Sequence, residues 1–424
     1  MVTKHVYTKD NLKVLGIVIR SKRMELGLSL RDLSDITKIS HTLISNIEKG
    51  KQSPASDTLR DILNALELEF YDSEDLLNNM TDLSVKMMVA LINQEYEDAK
   101  DVYNELHNKE EQYMYSPQLI NYIIVKYLYF AQTNKQDTDI EKVLDHYSKM
   151  IEFFNPVQTQ LFNYIQGLNH LNNERYNKSL INFNNALGIG NKEYDVFVKQ
   201  YLVVAKVRQY QFMDAYKIAK EIISEFEART IYLRSMQTKL QIARIYYVIN
   251  KTEDIERILS QVRQFANKFN MVDLIEECLL IEAAVQIRAK EYTKAEETID
   301  KMPNQESIPV ALHRFKLARV QNQISKMLKL YGEIMEYPEV KRHYKVPKFI
   351  KMQAMHKIPA LYDEEEYLET VNELCDRAVE NNDQDVIGIA YNYLLDFYHT
   401  KRQYKKAMEV AESFLQHKRI LQKL

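Results

Sequence analysis

The chain has 424 residues, with 57 Lys and Arg against 60 Asp and Glu and a net charge of −3, and its length allows two or three domains. No run of 18 apolar residues is present, which excludes a predicted membrane span. There are only 8 Gly and 8 Pro, and neither occurs between Gly190 and Pro303. Because a sheet protein makes its turns largely with these residues, we expect an all-α fold.

Two short helices are predicted inside a compact N-terminal segment that runs from Leu12 to Leu66. Ser29 is placed to cap a helix that ends near Thr37, and Ser40 is placed to cap the next helix. Gly50 can end that second helix in the left-handed conformation.

The second of these helices has two different faces. Leu43, Ile44 and Ile47 lie on one side. The other side carries hydrogen-bonding or basic side chains, namely His41, Thr42, Ser45, Asn46 and Lys49. A helix with an apolar back and such a front suits the major groove of DNA.

Residues 12–66 resemble the helix-turn-helix of the phage-repressor type, the Cro and repressor-like family also called XRE-like. In that family an Arg late in the first helix pairs with a Glu at the end of the recognition helix, and Arg23 and Glu48 stand at the matching positions. The resemblance implies a five-helix domain that binds double-stranded DNA. The family often has Gln at the position of Leu30, so we expect neighbours such as Ser29 or Arg31 to make the contacts of that side chain.

The candidate DNA-binding residues are Ser29, Arg31, Ser40, His41, Thr42, Ser45, Asn46, Lys49 and Lys51. The alternative is a helix-turn-helix that is kept only for dimerisation or protein binding. The reading face disfavours this alternative, because it carries no acidic residue before Glu48.

Charge is distributed unevenly along the chain. Residues 1–64 carry 11 Lys and Arg against 7 Asp and Glu, a net charge of +4, so the remainder of the chain carries −7. A basic head on an acidic body is expected where only the head meets phosphate. Because the excess is small, one copy should bind weakly, which favours a homodimer that reads the two half-sites of a palindromic operator about one helical turn apart.

After the head, one short pattern recurs, an aromatic residue followed three positions later by a small residue. It begins at Tyr96, Tyr176, Phe212, Tyr292 and Tyr404. These spacings are close to multiples of about 36–40 residues, which predicts weaker copies near residues 140, 252, 325 and 365. The small residue lets two antiparallel helices approach closely, and we expect the aromatic residue to fill the gap to the next helical pair.

Counting these copies predicts about nine helical hairpins, as in a right-handed α-solenoid of the tetratricopeptide type. We therefore predict a helix-turn-helix domain at 1–72 and a repeat domain for peptide sensing and dimerisation at 73–424. The alternative is a generic helical bundle. The concave groove of a solenoid binds extended peptides or partner helices.

This order of domains resembles the peptide-pheromone receptors of Gram-positive bacteria, the Rap, Rgg, NprR, PlcR and PrgX group (RRNPP), and in length and repeat count the chain is most similar to NprR. In this family asparagines on inner helices grip the backbone of a short imported peptide. The candidate peptide-binding residues are Asn163, Arg208, Arg244 and Asn392. An ordinary solvated surface position is the alternative for each of them.

We predict no catalytic, cofactor or metal site. The His and Cys residues show no metal-ligand spacing, and Gly188-Ile189-Gly190 lacks the third glycine of a nucleotide-binding loop. Cys278 and Cys375 are expected to be free, buried thiols. Met1–Arg20 lacks a basic-then-apolar leader, so we expect a cytoplasmic protein that is not an enzyme.

Together these observations predict a quorum-sensing transcriptional regulator that binds operator DNA and is switched by a short signalling peptide, with its oligomeric state changing on peptide binding. The alternative is a repeat protein that sequesters a protein partner such as a response regulator, with DNA binding secondary. No Gly- or Ser-rich linker separates the domains near Asp72, which predicts a stiff junction that moves the head as a rigid body.

Overall fold

A computed structural model describes residues 9–133, 140–338, 340, 345–381 and 383–421. These residues form 23 α-helices and two 3₁₀ turns, with no strand among them, so the predicted all-α fold is confirmed. The chain divides into two compact units, Met1–Asn172 with Asn182–Val198 and Asn173–Ile181 with Lys199–Leu424. The predicted domain boundary after residue 72 lies inside the first unit and stays a prediction.

Four helices form the N-terminal head, residues 9–72 of the described chain. They are α1 (Lys9–Glu25), α2 (Leu30–Thr37), α3 (His41–Glu48) and α4 (Ser56–Ala65). Both predicted caps are present, because Ser29 Oγ accepts a hydrogen bond from the Asp32 N–H and Ser40 Oγ accepts one from the Leu43 N–H. The expected number of five helices is one too high for these residues, because the next helix begins only at Glu74.

Nine pairs of consecutive helices follow in the described chain, the number predicted. The first helices of the pairs are α5 (Glu74–Asn93), α8 (Leu119–Thr133), α10 (Pro156–Asn172), α12 (Lys192–Arg208), α14 (Tyr232–Val248), α16 (Val272–Arg288), α18 (Ile308–Val320), α20 (Lys345–Lys357) and α22 (Gln384–Thr400). The second helices are α6 (Tyr96–His107), α9 (Ile140–Ser148), α11 (Tyr176–Ala186), α13 (Phe212–Ala228), α15 (Thr252–Lys268), α17 (Tyr292–Asp300), α19 (Ile324–Glu336), α21 (Glu364–Asn381) and α23 (Tyr404–Leu421). Between pairs lie the short helix α7 (Glu110–Met114) and the 3₁₀ turn Ile151–Phe153, and the 3₁₀ turn Pro359–Leu361 lies within the eighth pair, between α20 and α21.

Most turns inside these pairs are closed by a left-handed residue that is not glycine. The residues with positive φ two positions before a second helix are Gln94, Glu174, Tyr210, Asn250, Lys290, Asn322 and Arg402. The next N–H then donates to the carbonyl five residues earlier, as from Gln211 to Lys206 at 3.0 Å and from Lys251 to Tyr246 at 2.9 Å. This is the Schellman arrangement, and it explains how a chain so poor in glycine makes its turns.

Each recurring aromatic residue of the sequence pattern is the first residue of a second helix. The small residue three positions later is fully buried at Ala99, Ser179, Ala215 and Ala295. The weaker copies are also confirmed in position, because α9, α15, α19 and α21 begin at Ile140, Thr252, Ile324 and Glu364. The predicted copy near residue 140 begins at Asp139, which lies outside the described residues.

The packing role expected for the aromatic residue holds only in part. Tyr176 is buried, but Tyr96 and Tyr404 are exposed. The first residue of a second helix lies at the edge of its pair, where a neighbouring pair does not always cover it. The small residue is therefore the more constant part of the pattern.

Candidate functional site

A buried ion pair holds the end of α3 against α1. Arg23 Nε and Nη2 donate to the two carboxylate oxygens of Glu48 at 2.6 and 2.9 Å, and Arg23 Nη1 donates to Leu28 O at 2.7 Å. Arg23 and Glu48 are 8% and 5% exposed. The predicted pair is therefore present, and its bidentate geometry satisfies both charges. Removal of either partner would leave the other charge buried and unpaired.

Helices α1 and α3 approach so closely that only glycine fits at position 16. A Cβ atom at Gly16 would lie 2.5 Å from Glu48 O and 2.6 Å from Ile47 O. Both neighbours are backbone atoms, which cannot rotate away as a flexible side chain can. Gly16 thus sets the distance between the two helices, and the ion pair holds them at it.

With its back held in this way, α3 presents the predicted face to solvent. Ile44 and Ile47 are buried in the head. His41, Thr42 and Lys49 are exposed, and Ser45 and Asn46 are half-buried. The remaining candidates, Ser29, Arg31, Ser40 and Lys51, are exposed as well. All the candidate DNA-binding residues therefore lie at the surface of the head.

A second candidate site, which we did not predict from the sequence, is an apolar groove on the first helices of the first three pairs. Its volume is about 460 Å³, and its walls come from α5, α8 and α10, all in the first unit. The aliphatic residues that line it are Val85, Met87, Met88, Val89, Ile92, Ile124, Val125, Leu128, Val157 and Leu161. Val85 and Val89 are 59% and 50% exposed, so an apolar surface is left uncovered here. We call this site the α5–α8–α10 groove.

Amide side chains line one edge of the α5–α8–α10 groove. Gln158 Nε2 donates to Asn121 Oδ1 at 2.8 Å, and the Asn155 N–H donates to Gln158 Oε1 at 3.0 Å. No charged side chain is among the described residues that line the groove. Amides both donate and accept hydrogen bonds, as an extended peptide backbone requires, and the apolar floor suits aliphatic side chains.

The sequence did contain one signal for this groove. Val85 and Val89 are four residues apart on α5, on a different side of the helix from the buried Leu83. A second apolar stripe on a helix that already has a core face indicates a further surface to be covered. The matching residues on α8 and α10 are distant in sequence, so the signal remained incomplete.

The four predicted peptide-binding residues have different surroundings. In the first unit, Asn163 is 7% exposed and its Nδ2 donates to Thr159 O of its own helix at 2.9 Å. Little of the Asn163 side chain is therefore accessible to a ligand. In the second unit, Asn392 and Arg208 are exposed. Their role in peptide binding stays a prediction.

Arg244, also in the second unit, already has a carboxylate partner. Its Nη2 lies 3.0 Å from Glu277 Oε2. Burial lowers the pKa of Arg244, the carboxylate of Glu277 opposes this shift, and the charge of Arg208 adds to it. Arg208 and Arg244 are thus close enough to interact, on the first helices α12 and α14 of successive pairs.

A polar cluster that the sequence did not reveal lies next to Asn392 on α22. Arg319 Nη1 donates to Tyr393 Oη at 3.2 Å, and His356 Nε2 lies 3.6 Å from Asp396 Oδ2. Burial lowers the pKa of His356, and Asp396 opposes this shift. Arg319 and Tyr393 are 74 residues apart, so no local spacing could have predicted their contact.

Both cysteines are free and buried, as predicted, and burial raises the pKa of the Cys278 and Cys375 thiols to about 12. A thiol that stays protonated at neutral pH is a poor nucleophile. In the part of the chain that the structure describes, no group of three or more His, Cys, Asp or Glu residues is placed to hold a metal ion. No described helix combines the length and the apolar character needed to cross a membrane.

Comparison with known proteins agrees with the geometry of the head. Residues 19–72 match the family model described as Helix-turn-helix. The N-terminal domain is a helix-turn-helix domain. Two curated relatives, both named Transcriptional regulator ClgR and from two strains of Mycobacterium tuberculosis, are 41% identical over 56 residues, which are 13% of this chain and 50% of theirs. The chain thus spans about half the length of the curated relatives it matches.

Solved structures extend the likeness over the repeats. A Rap protein complexed with competence and sporulation factor is 10% identical, with a TM-score of 0.65 over 81% of this chain and 100% of that one. The quorum sensor NprR from B. thuringiensis in its apo form is 12% identical, with a TM-score of 0.55 over 81% and 99%. NprR in complex with its cognate peptide NprX is 13% identical, with a TM-score of 0.59 over 78% and 99%. The predicted repeat fold is confirmed by these likenesses, which concern the fold alone.

Proposed function

We propose that this protein is a transcriptional regulator that binds a palindromic operator as a homodimer through α3 of its helix-turn-helix. One observation carries the proposal: α3 exposes a polar face and is held from behind by Gly16 and the Arg23–Glu48 pair. A helix of this kind enters the major groove of DNA. The Helix-turn-helix match and the name of the ClgR relatives support the same function.

The candidate residues then divide into two roles. Thr42 and Asn46, on the exposed face of α3, read base edges by hydrogen bonds, with His41 and Ser45 beside them. The residues at the ends of α2 and α3 contact the phosphate backbone and set the register, namely Ser29, Arg31, Ser40, Lys49 and Lys51.

We also propose that the repeats bind a short signalling peptide, and that the α5–α8–α10 groove is its site. The apolar floor, the amide edge and the absence of charge among the described lining residues suit a short, uncharged, aliphatic peptide. A volume of about 460 Å³ lies within the range of small-ligand pockets. The solved NprR complex holds its cognate peptide and the Rap complex holds competence and sporulation factor, which supports this part of the proposal by analogy.

Selection of DNA by the full-length protein tests the first proposal. A pool of random duplexes is passed over the protein at a fixed salt concentration of about 0.15 M, because phosphate contacts depend steeply on salt. We expect the parent protein to enrich a palindromic sequence and Asn46→Ala to lose that enrichment. Asn64→Ala, an exposed asparagine on α4 away from the reading face, is the matched control and should enrich as the parent does. If the parent enriches no sequence, the DNA-binding proposal is wrong and sequestration of a protein partner becomes the better hypothesis.

Panning of phage-displayed random hexapeptides tests the second proposal. We expect enrichment of uncharged, aliphatic sequences, and binding of the enriched synthetic peptide to weaken at least about tenfold, or about 1.4 kcal/mol, in Val89→Glu. Val272→Glu is the matched control, because Val272 is 52% exposed on α16 and lies outside the groove. Equal losses in both variants, or unchanged binding in Val89→Glu, would place the peptide elsewhere.

A further inference from the structure

Helix α1 is buried around most of its circumference. A surface helix buries one stripe and exposes the opposite one. In α1, however, an almost unbroken run is buried, namely Val14, Leu15, Ile17, Val18 and Ile19. The helix therefore packs on more than one side, and outside the head it contacts α8 and the 3₁₀ turn Ile151–Phe153.

The spacing of residues separates the two sides of α1. Gly16 and Arg23 are seven residues apart, so they share the side that meets α3. Val14, Val18 and Ser21 follow the i, i+4, i+7 pattern on the opposite side. This second side points away from α3, and at Ser21 it meets the repeats.

Polar contacts mark where the second side of α1 meets the repeats. Ser21 Oγ lies 3.3 Å from His146 Nε2. Lys22 Nζ lies 3.5 Å from Tyr115 Oη and 5.6 Å from the centre of its ring, within cation–π range. Helix α1 also contacts α8 and the 3₁₀ turn Ile151–Phe153. All of these residues belong to the first unit.

The chain between the head and α5 is held against the same place. The Tyr71 N–H donates to Tyr115 O at 2.9 Å. Leu66 and Leu68, which precede it, are buried. Tyr115 therefore contacts α1 through its side chain, and its carbonyl oxygen accepts a hydrogen bond from the connecting segment.

The elements that hold α1 also form the α5–α8–α10 groove. Ile124, Val125 and Leu128 of α8 line the groove, and Asn155 and Val157 line it just after the turn Ile151–Phe153. A ligand that displaces these groove residues acts on elements that α1 contacts directly.

We propose that α1 is a core helix shared by the head and the first repeats, and that its contact with α8 and the turn Ile151–Phe153 transmits occupancy of the groove to α3. The consequence for DNA rests on the proposed function, whereas the docking of α1 does not. His41, Thr42 and Lys49 stay exposed in the docked head. The contact between α1 and the repeats therefore positions the recognition helix α3 without covering it. Coupling between the groove and α3 then does not depend on the stiffness of the junction at Asp72 alone.

Distance measurements between spin labels test this docking in the full-length chain. Labels are attached at Asp35→Cys in the head and Lys100→Cys on α6, both exposed positions. The native cysteines are buried, and labelling of a chain without the two added cysteines checks that they do not react. Ser21→Arg places a cation against Arg20, His146 and Lys149 and disrupts the contact from the head side. Asn64→Arg adds the same charge at an exposed position of the head and is the matched control.

We expect a narrow distance distribution in the parent and in Asn64→Arg, and a broad one in Ser21→Arg. A head released on residues 66–73 would sample distances over about 15 Å, on the scale of a flexible chain of that length. A broad distribution in the parent, or a narrow one in Ser21→Arg, overturns the inference. If the Ser21→Arg head does not fold, judged by hydrogen exchange in α2 and α3, Tyr115→Ala tests the same contact from the repeat side with the same two outcomes. Failure of the DNA selection would contradict the proposed function and leave this result interpretable.

Discussion

The head and the α5–α8–α10 groove place their candidate residues in opposite ways. All the DNA-binding candidates lie between Ser29 and Lys51, on two capped helices and their flanks. The groove instead draws on residues from Thr81 to Tyr194, on several helices that are distant in sequence. The residues of a site on one helix can therefore be predicted from local periodicity, whereas the residues of a site shared by several helices cannot.

The two regions also differ in how tightly their backbones pack. In the head, Gly16 has backbone atoms of α3 where a Cβ would lie. In the repeats, Gly332 and Gly388 have no neighbouring atom within 4 Å of that position, whereas Gly167 and Gly190 meet side-chain atoms of Phe183 and Gln160 there. The close approach of two helix backbones at Gly16 is thus a feature of the head, whereas the crowded glycines of the repeats meet side chains.

The largest effect that would sharpen this comparison is expected for Arg23→Ala. Loss of a bidentate partner leaves Glu48 buried and unpaired, so the head should be destabilised by about 3–5 kcal/mol. Arg60→Ala is the matched control, because Arg60 pairs with Asp57 in an exposed position and its loss should cost less than about 1 kcal/mol. Hydrogen exchange of the α2 and α3 amides measures both changes. Similar losses in the two variants would show that the buried pair is not special.

A smaller but opposite pair of effects is expected for two glycines. Gly16→Ala overpacks α1 against the backbone of α3 and should destabilise the head by about 1–3 kcal/mol. Gly388→Ala, inside α22 with open space around it, should stabilise its pair by up to about 1 kcal/mol, because alanine favours the helix. Thermal unfolding and local hydrogen exchange measure the signs. A neutral Gly16→Ala would mean that α1 and α3 can separate without cost.

DNA affinity separates reading from folding within the head. On the duplex enriched by the parent, Thr42→Ala and Asn46→Ala should each weaken binding by about 1–3 kcal/mol and leave the fold intact. The reason is that Thr42 is exposed and Asn46 is half-buried, and the buried side of α3 is made by Ile44 and Ile47. Titration with circular dichroism as the folding control measures this. Unchanged affinity in both variants would show that another face reads the operator.

A modest pH dependence is expected at the contact between head and repeats. Burial lowers the pKa of His146 below its ordinary value of 6.5, and the charges of Lys149 and Arg20 lower it further, against the opposite effect of Asp145. The unfolded chain therefore takes up a proton first as the pH falls below about 6.5, so stability falls with pH in this window and is unaffected above it. The melting temperature of His146→Gln should vary less between pH 7.5 and pH 5.5 than that of the parent. An identical pH profile would remove His146 from the explanation.

The smallest effect is expected for a change in the junction itself. About ten Gly and Ser residues inserted after Asp72 lengthen the connection but leave Ser21, Lys22 and Tyr115 in place. The distribution of distances between the spin labels on the head and on α6 should then stay narrow. Broadening as large as that of Ser21→Arg would assign the coupling to the junction, as the sequence alone suggested.

Several features of the fold could be predicted because their causes are local. Ser29 and Ser40 cap their helices through atoms three residues away. Ala99, Ser179, Ala215 and Ala295 mark four of the second helices, because a close helical approach needs a small residue at that position. Arg23 and Glu48 could be paired from the family resemblance alone, and their burial became known only from the structure.

The peptide-binding candidates show what local sequence patterns could not predict. Asn163 stands on a first helix as expected, but its side chain is buried and bonded within its own helix. Its rotation about the helix axis depends on how α10 packs, which no short pattern records. The run from Val14 to Ile19 was visible in the sequence, but its second partner could not be named, because α8 lies about a hundred residues further along the chain.

By itself, the sequence determined the helices, their caps, the number of pairs and the residues on the outer face of α3. Each of these follows from hydrogen bonds and side-chain spacings within one or two helical turns. Only the tertiary structure decided that α1 packs against α8, that Tyr115 meets both α1 and the connecting segment, and that α5, α8 and α10 leave an apolar groove open. These contacts depend on the angles at which successive pairs stack, and those angles result from the packing of many side chains at once.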